Sequence, residues 1–214
     1  MPIISKFSDM NTSLMKFSDP WVNRSGGQTV FVTDINDKKI VFTTPLCKAP
    51  FGVSCMNNRH SISLNVPKND EKNKDFIDFL SKLDLHILSK AKNCSQSWFK
   101  KDLSPTKITS MYNPNLKNKN ENYPPVFRAR FPTDPNGNFM GNIYDFNRNI
   151  INQSNITNGS MIEAIVELSG IYFIANDFGA SWKILQIKVN PNVPVKGYAF
   201  MDDSESDLSE AEPN

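Results

Sequence analysis

Between Trp98 and Arg148 the chain interleaves rings with cations: Trp98, Phe99, Lys100, Lys101, Lys107, Tyr112, Lys117, Lys119, Tyr123, Phe127, Arg128, Arg130, Phe131, Tyr144, Phe146 and Arg148. That mixture suits the handling of single-stranded nucleic acid. Lys and Arg neutralise phosphates, and flat rings stack unpaired bases at about 1–3 kcal/mol per base. In Val126-Phe127-Arg128-Ala129-Arg130-Phe131 the period of a strand sends Phe127 and Ala129 to one face and Arg128 and Arg130 to the other. Two arginines on one strand face make a ready phosphate contact. The candidate nucleic-acid-binding residues are therefore Trp98, Phe99, Lys100, Lys101, Lys107, Tyr112, Tyr123, Arg128, Arg130, Tyr144, Arg148 and Lys183. The competing reading puts most of these rings in a hydrophobic core, and it stays open for each ring.

Other chemistries find little to work with. No Gly-rich phosphate loop or nucleophile elbow occurs, and there are two histidines, His60 and His86. Asp134, Asp145, Glu163 and Asp177 read as isolated carboxylates, several of them beside Gly or Asn in turns. The expectation is a protein that is not an enzyme and takes no cofactor. Cys47, Cys55 and Cys94 fit no zinc spacing with the histidines and leave an odd thiol, which predicts no metal and a reducing, intracellular compartment. No signal-like apolar run and no stretch of ~20 apolar residues is seen, so no membrane partner is expected. Triplets such as Asn23-Arg24-Ser25 and Asn155-Ile156-Thr157 read as by-products of high Asn content.

The elements that must position the candidate residues are mainly strands. Residues 159–189, GSMIEAIVELSGIYFIANDFGASWKILQIKV, read as two long strands rich in β-branched and aromatic residues, with Asn176-Asp177-Phe178-Gly179 as the turn. A glycine in mid-strand, Gly170, predicts a bulge, a barrel corner or the close approach of another backbone. Such a hairpin suits a small closed barrel. Upstream, residues 29–33 and 39–43 flank the turn-like Asp34-Ile35-Asn36-Asp37, and SISLNV at 61–66 alternates as a third strand. Phe76, Phe79, Leu80, Leu83, Ile87 and Leu88 then fall at helical spacing, giving an amphipathic helix over about 70–92 with Asn69 or Asp70 as its cap. Asp134-Pro135-Asn136-Gly137 is a turn, with residues 139–146 expected to form the hairpin partner of the 126–131 strand. Strands, a helix and more strands, without a repeated strand–helix unit, predict an α+β, mainly β fold.

Charge is polarised along the chain. Six acids, Asp202, Asp203, Glu205, Asp207, Glu210 and Glu212, fall after residue 201 without a base, whereas residues 1–201 carry 24 basic and 16 acidic residues. The expected organisation is an N-terminal arm at 1–27 that orders on contact, a binding domain at 28–201 and an acidic disordered tail at 202–214. Tethering raises the local concentration of such a tail at a basic groove, and the competition is salt-sensitive because screening acts over ~8 Å.

The sequence also resembles a known group. Its carriers are "Gly159-Ser160 … Gly170-Ile171-Tyr172-Phe173" and "Phe178-Gly179-Ala180-Ser181-Trp182-Lys183-Ile184-Leu185-Gln186-Ile187", together with the order of helix, basic aromatic middle, hairpin and acidic end over roughly residues 28–214. In these the chain resembles the single-stranded-DNA-binding proteins of nucleocytoplasmic large DNA viruses, themselves similar to acidic-tailed replication proteins of short-tailed bacteriophages. The resemblance implies a five-stranded OB-fold barrel with an inserted helix and extra hairpins. It also implies sequence-tolerant binding of single-stranded DNA in viral replication, recombination and repair, at a cytoplasmic or nuclear replication site. A tail that docks replication proteins and shields the groove is implied too, as is the homodimer common among the phage relatives. One departure stands out. Phage tails end in an aromatic residue, whereas here Ala211-Glu212-Pro213-Asn214 follows the acids and the nearest rings are Tyr198 and Phe200. Two alternatives remain at this point: a virion or scaffold protein with a basic protein-binding face, and an RNA-binding barrel.

Overall fold

A closed ring of five strands forms the centre of the structure, a computed structural model that describes residues 4–57, 59–118, 120 and 122–190. The ring consists of β1 (Cys47–Ala49), β2 (Arg59–Asn65), β3 (Val126–Arg130), β4 (Ser160–Ile174) and β5 (Asp177–Asn190). Its neighbours run β1–β2–β3–β5–β4 and back to β1, all antiparallel except the parallel pair β3–β5. That order is the topology of an OB barrel, in which each strand of the ring pairs with two neighbours. Three helices, α1 (Glu71–Asn93), α2 (Ser95–Phe99) and α3 (Pro105–Met111), all lie between β2 and β3.

α1 starts where Asp70 caps it, its side chain accepting from the Lys72 N–H at 3.3 Å. Its buried stripe of Phe76, Phe79, Leu80, Leu83, Ile87 and Ala91 closes one end of the barrel. There Phe76 meets Phe42 and Phe127 edge-on at 5.8 and 5.4 Å, and Trp182 completes the cluster 5.2 Å from Phe42. Truncating a ring so enclosed costs about 3–5 kcal/mol. The amino-terminal residues belong to this core as well: Phe7 packs on Phe42, Phe76 and Phe79, and Lys16–Phe17 pairs with Val32–Thr33. Among the described residues no helix is long and apolar enough to cross a membrane.

Three hairpin loops share one device. In Asp34–Lys38, Asp134–Asn138 and Asp145–Asn149 the first Asp accepts the N–H of the fifth residue at 2.8–2.9 Å, and the fourth residue has positive φ (Asp37 61°, Gly137 83°, Arg148 70°). These are turns followed by a left-handed residue, held by a carboxylate. Such bonds hold the Asp134 and Asp145 carboxyls below the usual carboxylate range.

Gly170 does two of the things expected of it. The β4–β5 register shifts between Leu168 and Gly170, and a Cβ at Gly170 would lie 2.7 Å from the Val30 carbonyl oxygen. Several expected boundaries are corrected. The β4–β5 turn is Ala175-Asn176, not residues 176–179, because Phe178 is drawn wholly into the core and takes Asp177 and Gly179 into the strand. Residues 29–33 and 39–43 form no regular hairpin: one bridge, Thr33 to Lys39, joins them, and Val41–Thr43 pairs instead with the long β4. Asn142–Tyr144 is not the partner of β3. It runs parallel to β5 at Gln186–Lys188, filling an edge left open where β3 ends opposite Lys183. The helix expected over about 70–92 is α1, and Trp98 and Phe99 occupy the separate α2 beyond Cys94.

Candidate nucleic-acid interface

β2 and β3 lie antiparallel with Arg128 opposite Ser63 and Arg130 opposite Ser61. Phe127 and Ala129 are buried, so the two arginines are forced outward, as the alternation predicts. Beside them opens a trough of about 720 Å³. Its cations are Arg59, Lys117, Arg128 and Arg130, with His60, Tyr172 and the polar Ser61, Asn113, Asn115 and Ser181 between them. Met56 and Ile174, 60% and 57% exposed, stand at the tips of the β1–β2 and β4–β5 connections and supply apolar contact. Among the described residues that line it there is no carboxylate. This face, between those two connections, is the one on which OB barrels receive oligonucleotides.

The trough is held in shape from beneath. Arg128 donates from Nε and Nη2 to Ser61 Oγ at 3.0 and 2.8 Å, which fixes the guanidinium while leaving donors free. Trp182 Nε1 donates to Asn115 Oδ1 at 2.5 Å; the Asn115 amide N–H and side chain donate to Asp84 of α1, and so does the Tyr112 hydroxyl at 2.5 Å. One buried carboxylate thus ties helix, connecting segment and barrel together. Burial pushes the Asp84 carboxyl up against the pull of those hydrogen bonds, and burial together with Asp84 pushes the Tyr112 hydroxyl up.

The candidate residues scatter. Arg128 and Arg130 line the trough. Trp98, at 3% exposure, sits edge-on to Phe173 and is structural rather than available for stacking, and the partly buried Phe99 lies edge-on to Phe173 and Phe178. Tyr112 is likewise corrected to a structural role, its hydroxyl held by Asp84 and its ring on Phe178. Lys183 is bound to Glu167 at 3.3 Å, as is Lys39 at 3.1 Å. Lys100, Lys101 and Lys107 are exposed around α2 and α3, outside the trough lining. Tyr123, 66% exposed, flanks a separate hollow with Lys68. Tyr144 and Arg148 border another cavity, of about 340 Å³, in which Lys188 is paired with Glu163 at 3.0 Å and lies 5.2 Å over the Phe146 ring. Residues 202–214, with all six tail acids, lie outside the described residues. Arg59, His60 and Tyr172 escaped the sequence reading; for Arg59 and Tyr172 the signal was the strand alternation that found Arg128 and Arg130, whereas His60 shares the parity of the buried Ile62 and Leu64 and carried no such signal. Among the described residues no cluster of three or more His, Cys, Asp or Glu is placed to hold a metal.

Comparison with known proteins adds three findings. Residues 58–202 match a family described as "Family of unknown function (DUF5871)". Uncharacterized protein L291 of Acanthamoeba polyphaga mimivirus is 27% identical over 172 residues, 75% of this chain; the chain spans about 28% of that relative's length. Structural neighbours are phage single-stranded-DNA-binding proteins. The crystal structure of gp2.5, encoded by bacteriophage T7, superimposes with a TM-score of 0.51 at 14% identity, covering 76% of this chain and 98% of that one. The bacteriophage Enc34 protein in complex with ssDNA gives 0.41 at 13% identity over 84% and 98%.

Proposed function

The chain belongs to the DUF5871 family of unknown function, and we propose that it binds single-stranded DNA with little sequence preference along the β2–β3 trough. The observation that carries the reading is the trough itself: four cations and a tyrosine on the ligand-receiving face of an OB barrel, with no carboxylate among the described lining residues. Arg59, Lys117, Arg128 and Arg130 neutralise successive phosphates, while Tyr172, Met56 and Ile174 meet bases turned toward the protein. Duplex DNA is disfavoured because its base faces are already stacked. The fold it shares with T7 gp2.5, described as a single-stranded-DNA-binding protein, supports this reading.

Replication, recombination and repair are the processes that expose such strands, and they are the proposed setting. Composition supports a further element. Six acids after residue 201, tethered to a body with an excess of eight basic residues, compete with DNA for the trough and offer a docking element to replication proteins. The proposed organisation is an arm at 1–27 whose Phe7 and Met15 pack into the barrel core, a binding domain at 28–201 and a tail at 202–214.

Fluorescence anisotropy with labelled oligo-dT at two salt concentrations tests the proposal. Binding is expected to weaken as salt rises, by about 0.7 counterion per neutralised phosphate, and duplex of equal length is expected to bind far more weakly. Equal affinity for duplex and single strand overturns it. Removing residues 202–214 is expected to tighten binding; unchanged affinity rejects the competing tail.

A further inference from the structure

We infer that Trp21 and Phe31 form a base-stacking platform that carries the DNA strand beyond the trough; the inference rests on the single-stranded-DNA reading above. It comes from one row of residues. Asn113 pairs with Gly179, Gly179 with Tyr172, Tyr172 with Thr29, and Thr29 with Trp21, so five strands place these residues side by side across one sheet. Directly paired residues put their side chains on the same face. Asn113 and Tyr172 line the trough, so the face that holds the arginines continues without a step to Trp21. From Tyr172 to Trp21 is two strand spacings, ~10 Å.

The row is built to stay open and flat. A Cβ on Gly179 would stand 2.7 Å from the Asn113 carbonyl oxygen and 3.3 Å from the Tyr172 hydroxyl, so only glycine lets the tyrosine lie across the neighbouring strand. At its far end Trp21 is 53% exposed and Phe31 45% exposed, their centroids 6.0 Å apart and their planes tilted by 45°. Val30 and Val32, on either side of Phe31, are buried, which is why Phe31 turns outward to join Trp21. Arg24 is exposed in the turn that joins the Trp21–Val22 strand to its partner. Exposed paired rings and continuity with a cationic trough match the requirements of a strand whose bases splay onto protein.

Tryptophan emission tests this when variant and parent are compared, because Trp21 is 53% exposed whereas Trp98 and Trp182, the latter in the floor of the trough, are each only 3% exposed. In the full chain, saturating dT20 is expected to quench the emission. Trp21→Phe is expected to remove the Trp21 share of that quenching and to lose less affinity than Trp21→Ala, since a phenyl ring still stacks. Trp21→Ala is expected to weaken binding by roughly fivefold or more, the weight of one stacked base. Circular dichroism and melting of both variants should match the parent. Normal anisotropy binding with unchanged emission, and Trp21→Ala equal to the parent, overturns the platform while leaving the trough intact. A Trp21→Ala variant that loses self-association in sedimentation but keeps its DNA affinity overturns it in favour of a contact between copies. Absence of any oligo-dT binding at low salt removes the underlying reading itself.

Discussion

The trough on β2–β3 and the cavity beside Tyr144 are built from similar residues: each has a tyrosine and at least two cations. They differ in what stands among the cations. In the cavity, Lys188 is bound to Glu163, Asp145 is part of the wall, and Arg148 belongs to an Asp-held turn. In the trough, the described lining residues include no carboxylate, and the one fixed guanidinium, Arg128, is held by a neutral hydroxyl that leaves its charge uncompensated. The lesson is that a count of Lys and Arg does not locate a polyanion site. The exclusion of Asp and Glu does, because an internal counter-ion satisfies the charge that phosphate would otherwise neutralise.

The largest effect should come from the pair of arginines. With a charge-assisted contact worth about 1.5 kcal/mol, Arg128→Ala/Arg130→Ala together should weaken oligo-dT binding roughly 100-fold and lower the salt slope by about 1.4. The corresponding change in the cavity, Arg148→Ala/Lys188→Ala, should stay within about twofold in the same anisotropy titration. Comparable losses from both pairs break the comparison. The comparison sharpens if a carboxylate is moved: Ser181→Asp, which brings an acid into the trough, should weaken binding by roughly tenfold, with the deficit shrinking at high salt. Glu163→Gln in the cavity should leave affinity unchanged.

Asp84 supplies a stability test. Asp84→Ala leaves the donors of Tyr112 and Asn115 unpaired, and urea unfolding should register a loss of about 2 kcal/mol. A loss near zero would mean that the Asp84–Asn115–Trp182 chain does not hold the trough. The smallest effect concerns pH. Asp134 and Asp145 have folded values below the ordinary carboxylate range, so their contribution is present above that range and disappears as pH falls through the folded values. Asp84, raised by burial, runs the other way: its contribution is full below the ordinary carboxylate pKa and is lost as pH rises through the folded value. Melting temperatures in acid should therefore fall less steeply for Asp134→Asn/Asp145→Asn than for the parent.

Local signals were legible where one short stretch decides the outcome. The Asp70 cap, the apolar stripe of α1, the outward arginines of β3 and the role of Gly170 follow from spacing and backbone freedom. The third Asp-held turn, at 145–149, was hidden because Arg148 occupies the left-handed position that Gly137 fills in its counterpart. Ring assignments went astray for a different reason. Trp98, Phe99 and Tyr112 sit in a polar, basic stretch, yet Phe173 and Phe178 from 60 or more residues away cover them. Their exposed counterparts, Trp21 and Phe31, lie in a segment with little basic character.

By itself, then, the sequence determined which residues must leave water and which strand faces carry charge, since period and side-chain chemistry are written locally. Tertiary structure alone decided which charges meet a counter-ion and which rings stay uncovered. Those outcomes depend on partners brought together by barrel closure, and a strand cannot encode what its neighbour in space will be.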